Sequence, residues 1–127
     1  MGTREVGKIT KRVIEITGLN IDVDSPIYIG EQNAGHIKNK HPLDYNKYFH
    51  DIENILSNPT YIAKHPNKDS IEYIKSYKIN EEENVLVAVR TSKSGIFFAR
   101  TLFIMSEEKF KKYKEKGVLK QYLLEKE

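Results

Sequence analysis

The sequence has no cysteine, so disulfides, thiolate nucleophiles and zinc sites built on thiolates are excluded, and a reducing cytoplasm is the default location. No apolar run approaches the roughly 18 residues needed to cross a bilayer, and no basic start leads into an apolar stretch as in a signal peptide. No membrane partner is therefore expected. Met1-Gly2 invites N-myristoylation, but Val6 stands where Ser or Thr is required. There is no glycine-rich phosphate loop, no Gly-x-Ser-x-Gly and no paired-carboxylate signature. His36 and His41 lack both the His-Glu-x-x-His spacing and a neighbouring carboxylate, so neither a metal nor another cofactor is expected. Arginine is scarce: four (Arg4, Arg12, Arg90, Arg100) against 17 lysines, which makes each arginine worth separate inspection. No repeat or low-complexity linker divides the chain.

With 127 residues, 39% of them hydrophobic and 31% charged, the chain fits one globular domain with a real core and a heavily charged surface. The net charge of +3 is compatible with a nucleic-acid partner without requiring one.

The local pattern predicts a strand over Arg12–Ile16, closed by Gly18-Leu19-Asn20, which makes residues 1–25 an N-terminal extension. Ile27-Tyr28-Ile29 reads as a short extended piece. Glu31 to Lys40 has helical spacing and stops before Pro42, since the residue preceding a proline is pushed out of helical geometry. Asp44 reads as the N-cap of a helix whose apolar face is Tyr45, Tyr48, Phe49, Ile52, Ile55 and Leu56. Strands are predicted over Thr60–Lys64, Ser70–Ile79, Val85–Thr91 and Ile96–Met105. Ser106 then caps a short helix that Gly117 ends, and Val118–Leu124 is a further turn or a packed tail. The expected fold class is α+β: N-terminal helices packed on one face of a four-stranded antiparallel sheet, with a short C-terminal helix. The other face is left free for a ligand.

Two hairpin registers are open between the last two strands. A three-residue connection ending in a left-handed Gly95 pairs Ser92 with Ile96, Arg90 with Phe98 and Ala88 with Arg100, so both arginines share a face. Val85, Val87 and Val89 then face the helices with Phe97, Ala99, Thr101 and Phe103. A four-residue connection separates the arginines.

Gly35-His36-Ile37-Lys38-Asn39-Lys40-His41-Pro42 concentrates two imidazoles and two ammonium groups. Imidazole titrates near neutrality, so such a pair can supply an acid and a base, and lysine and arginine supply fixed positive charge for a phosphate. Acid, base and cation are what metal-free RNA cleavage needs. On a continuous helix His36 and His41 are about 500° apart and converge only if the helix ends first. The plainer alternative is a pair of surface histidines. Arg90 and Arg100 either pair with acids such as Glu72 or clamp a phosphate. Thr101 is a hydroxyl beside them, and Tyr73 is a candidate for base stacking. His50 and His65 read as surface or packing residues.

Gly35-His36-Ile37…His41-Pro42, the helix closing in Asn58-Pro59, the Tyr73-to-Lys78 strand, the valine-rich strand and its aromatic hairpin partner together resemble the phage branch of the barnase–EndoU–colicin–RelE-like (BECR) nucleases, from about Ile27 to Lys114. The resemblance implies a metal-independent ribonuclease that activates the 2′-hydroxyl and leaves a cyclic phosphate, in a phage, mobile element or toxin. Its matching positions are His36, His41, Arg90, Arg100 and Thr101. Lys38 and Lys40 would help hold the substrate RNA, tRNA among the candidates, and an acidic antitoxin or immunity protein is the protein partner implied. The lysine-rich histidine segment departs from the barnase-like pattern in having no nearby glutamate, which leaves the general base open. The rival reading is a non-catalytic RNA- or protein-binding module on the same fold.

Overall fold

The computed structural model describes residues 2–65 and 69–123. Its strands are β1 (Thr3–Lys8), β2 (Pro26–Gly30), β3 (Tyr61–Lys64), β4 (Ser70–Lys78), β5 (Glu82–Thr91), β6 (Phe97–Ile104) and β7 (Lys120–Gln121), and its helices are α1 (Lys11–Thr17), α2 (Glu31–Lys40), α3 (Pro42–Tyr48), α4 (Ile52–Ser57) and α5 (Glu107–Glu115). A single 3-10 turn over Phe49–Asp51 joins α3 to α4.

Among the described residues the strands form one seven-stranded sheet in the order β1-β2-β6-β5-β4-β3-β7. The expected four-stranded antiparallel sheet is therefore corrected to a larger, mixed one, within an architecture that remains α+β. The meander β3–β6 is its centre. To it are added β2, parallel to β6 through Ile27↔Phe97 and Tyr28↔Phe98, β1 antiparallel to β2, and β7 antiparallel to β3. These additions pair segments remote in sequence, which alternation and turn signals cannot report. The expected Arg12–Ile16 strand is also corrected. Thr10 caps a helix there by accepting from the Val13 N–H, and Gly18, at φ 69°, ends it. The tail contributes β7, and Leu124 lies outside the described residues.

The inner face of the sheet carries the main core. Ile71, Tyr73, Val85, Val87, Val89, Ala99 and Leu102 pack against Val13, Ile37, Ile52, Ile55 and Leu56 from the helices, all buried. Each such aliphatic side chain contributes about 1.5–3 kcal/mol by leaving water. Gly7 of β1 is needed here, because a β-carbon on it would meet the Leu56 side chain at 3.2 Å. Helices do not sit on one face only. α5 covers part of the outer face, where Ala63, Ile74, Leu86 and Met105 are buried with Phe103, Phe110 and Tyr113 packed on them. Ser106 caps α5 by accepting from the Lys109 N–H (3.1 Å).

The β5–β6 turn takes the three-residue register, with the Ser92 N–H donating to the Ile96 carbonyl (2.7 Å) and Arg90 opposite Phe98. An irregularity follows. Val89 pairs with Ala99 but Ala88 pairs with Thr101, so Arg100 is an extra residue, a β-bulge. Beyond it the faces are exchanged relative to the sequence expectation: Leu102 and Ile104 turn to the helices, and Thr101 and Phe103 turn outward. Asp44 is not an N-cap, because α3 starts at Pro42. Its carboxylate instead accepts from the Ile104 N–H on β6 (2.9 Å).

Two tyrosine–carboxylate bonds fasten the α3–α4 layer to the sheet. Tyr77 donates to Asp51, and Tyr48 donates to Glu83 beside Lys47. Burial acts to raise the Asp51 pKa, but the bonds from Tyr77 and Asn54 and the charges of His50 and Lys75 outweigh it and leave the pKa lowered. Glu83 is lowered by the Lys47 and Tyr48 bonds, which outweigh a small burial penalty. A depressed folded pKa stabilises the protein above the ordinary carboxylate pKa, and that stability is lost as pH falls through the folded value. Glu83→Gln should therefore lower stability by about 1 kcal/mol at neutral pH, and urea titrations should show the gap from wild type closing in acid. A gap that is constant with pH would remove Glu83 from this role.

Candidate functional site

α5 stops short of the β5–β6 turn. The row Glu72–Ala88–Thr101 lies at its border. Glu72 is buried and accepts from the Tyr113 hydroxyl of α5 (2.8 Å). Burial, this bond and the carboxylate charge raise the Tyr113 pKa above its ordinary 10.0, so the hydroxyl remains a donor at neutral pH. The next row crosses four strands as Tyr28–Phe98–Arg90–Ser70. Side chains in one row of a sheet share a face, so two aromatic rings and a guanidinium stand side by side beyond α5. Tyr28 and Phe98 have ring centroids 6.3 Å apart, and the Arg100 guanidinium lies 5.8 Å from the Phe98 centroid.

Arg100 owes its position to the bulge. Its Nη2 donates weakly to the Thr91 carbonyl (3.4 Å), while its Nε is shielded and has no hydrogen-bond partner among the described residues. It lines a cavity of about 440 Å³ with Thr3, Glu31, Gln32, Ser92 and Phe98. Arg90 makes no hydrogen bond, ion pair or ring contact among the described residues. The pairing with Glu72 expected for an arginine here is not made, since Glu72 is held by Tyr113. A cavity of about 360 Å³ beside β7, lined by Asn58, Thr60, Tyr61, Lys75 and Tyr122 among others, holds neither histidine nor arginine.

The histidines come from the edge where β2 leaves β6. Pairing between those strands ends at Tyr28↔Phe98, and the chain turns into α2, whose first turn is capped by Asn33 Oδ1 accepting from the Gly30 N–H (3.0 Å). α2 ends at Lys40. His41, at φ −133° and ψ 63°, is both its C-cap and the N-cap of α3. Its ring lies 5.3 Å from Phe103, over which Lys109 also sits at 4.8 Å. His36 is exposed, one helical turn after Gln32 and Asn33 and one turn before Lys40, so it follows the side of α2 that borders the Arg100 cavity. Among the described residues no three His, Asp or Glu side chains cluster as metal ligands do.

Residues 4–112 match the family model PBECR3, phage-Barnase-EndoU-ColicinE5/D-RelE like nuclease3. The chain belongs to this family. No curated protein and no solved structure matches it.

In this PBECR3 chain the sequence-derived residues divide into three groups. Arg90, Arg100 and Thr101 lie on the outer face, and His36, His41 and Lys40 lie along its α2 edge. Lys38 lies on the other side of α2, with its ammonium 5.9 Å from the Tyr45 ring. Tyr73 is fully buried on the inner face and its hydroxyl has no partner among the described residues, so it presents no ring for stacking. Its role here is packing, as the core partner of Val87. Tyr28, Phe98 and Tyr113 escaped the sequence reading as site residues, and Glu72 entered it only as a partner for an arginine. Their grouping depends on the parallel β2–β6 pair and on α5 folding across the outer face.

Because the Arg90 side chain is unpaired among the described residues, Arg90→Ala should change stability by less than about 0.5 kcal/mol. Tyr73→Phe should be neutral or stabilising by up to about 1 kcal/mol, whereas Tyr73→Ala should cost about 3–5 kcal/mol. Urea midpoints test all three. A large loss in Tyr73→Phe would mean that its hydroxyl is satisfied.

Proposed function

We propose that the protein is a metal-independent RNA endonuclease that cleaves by 2′-hydroxyl attack and leaves a 2′,3′-cyclic phosphate. One observation carries this reading within a nuclease family: unpaired Arg90 and bulged Arg100 stand beside aromatic rings on an open sheet face, with two histidines along its edge. In the proposed chemistry one of His36 and His41 takes the 2′-hydroxyl proton and the other protonates the leaving 5′-oxygen. Arg90 and Arg100 hold the phosphate and stabilise the charge that develops on its oxygens. Lys40 and the Thr101 hydroxyl assist, and Lys38 contributes only long-range charge. Glu72, with one oxygen held by Tyr113, lies at the border of this face and ties α5 to it. The proposed place of action is the cytoplasm of a host carrying a phage or mobile element. RNA, tRNA included, is the proposed substrate, and an acidic antitoxin or immunity protein is the proposed partner, as a cationic cleft attracts anionic surfaces.

The test is incubation of labelled RNA with the purified protein in EDTA, beside a His36→Ala/His41→Ala double variant. Wild type alone should give cyclic-phosphate ends, with a bell-shaped pH profile, loss of rate at high salt and no action on DNA. Arg100→Ala should reduce kcat about 10²- to 10³-fold. Equal cutting by the double variant would sink the histidine assignment. Intact RNA that remains bound would replace the nuclease with a binding module.

A further inference from the structure

We infer that the cavity between α2 and β6 is a pocket for one unpaired nucleotide, which sets where the RNA is cut. The inference rests on the nuclease reading for its cut-site readout. The cavity's volume of about 440 Å³ falls in the range of small-ligand sites. Its apolar wall is the half-buried ring of Phe98, already stacked at one end by the Arg100 guanidinium at 5.8 Å. Every base has a π-face, so an aromatic wall accepts any base and discriminates little.

Discrimination needs polar groups at the rim. Asn33 keeps only its NH2 for a ligand, since its carbonyl oxygen takes the Gly30 N–H at 3.0 Å, and Ser92 Oγ is engaged with Ser94 Oγ at 2.9 Å. Gln32 and Glu31 are exposed, and their side chains make no hydrogen bond among the described residues. An amide, which donates and accepts, and a carboxylate, which accepts only, are thus available to read the edge of a base stacked on Phe98. The Arg100 guanidinium beside the same ring, whose Nη2 is held only weakly by the Thr91 carbonyl at 3.4 Å, is suited to the phosphate of that nucleotide. A base in a duplex cannot leave its stack to reach such a wall without breaking its pair, so the pocket selects single-stranded RNA.

Wild type, Phe98→Leu and Gln32→Ala are compared on a mixed-sequence single strand and on the same strand in a duplex. Each protein is also titrated with the four nucleoside 3′-monophosphates, followed by NMR. The expected result is preferred cutting at particular bases, a resistant duplex, and kcat/KM about 10- to 100-fold lower in Phe98→Leu. Gln32→Ala should reorder the preferred bases with an unchanged melting temperature. Wild-type rates and cut sites in both variants would overturn the pocket while leaving the nuclease standing. If wild type cuts nothing but mononucleotides shift the Phe98 and Gln32 signals, the nuclease reading falls and the pocket is retained. Neither cutting nor shifts would overturn both.

Discussion

A single inserted residue in β6 decides what the outer face of the sheet presents. Before Arg100, Phe97 and Ala99 point to the helices; after it, Leu102 and Ile104 do. A regular strand would turn the Thr101 hydroxyl into the helix-side core in place of Leu102, now fully buried there, at a cost of about 1–3 kcal/mol for a hydroxyl left without a partner. The bulge avoids that loss and leaves Arg100 and Thr101 adjacent on the outer side. It also turns Phe103 outward, where the ring gives His41 and Lys109 a common seat and α5 an anchoring contact. The outward Thr101 hydroxyl beside Arg100 and the support of one histidine by Phe103 both follow from this local change of phase.

The opposite layer supplies rigidity. Asp51 and Glu83 are held ionised by hydroxyl donors from Tyr77 and Tyr48, whose rings also pack together at 4.7 Å. These ties run from the α3–α4 segment to the sheet. Since His41 begins α3, they fix the backbone that carries it. Positioning of the edge histidine is thus shared between a hydrogen-bonded layer on the inner face and an aromatic contact on the outer one.

Much of the local order was legible in the residues. The four meander strands, the helix stop at His41-Pro42, the Ser106 cap and the three-residue turn at Gly95 each have a chemical signature confined to a few neighbouring positions. What was not legible is non-local or depends on phase. Arg12–Ile16 is β-branched like a strand, but Thr10 and Gly18 bracket it within a helix of about two turns, and capping outweighs propensity over so short a segment. The parallel contact of Tyr28 with Phe98 leaves no trace in either strand. Tyr73 illustrates the converse: its ring reads as a candidate for stacking, yet that side of β4 is the core side, where the Lys75 ammonium bonds the Asn58 carbonyl (2.7 Å). Among the candidate residues, Arg90 and Arg100 could be read onto one face of a hairpin, but the aromatic wall beside them could not.

The parting of β2 from β6 at Phe98 leaves the rest of β6 with no strand on that side, although it lies inside the sheet rather than at its rim. A bare ladder edge of this kind is a template for an incoming strand from another copy. The Asp44 carboxylate occupies the Ile104 N–H at this edge (2.9 Å), and α2 and α3 lie along it. A carboxylate accepts but cannot extend a ladder, so the same two helices that carry the histidines also act as a guard against self-association, letting the sheet split open at its centre without becoming adhesive there.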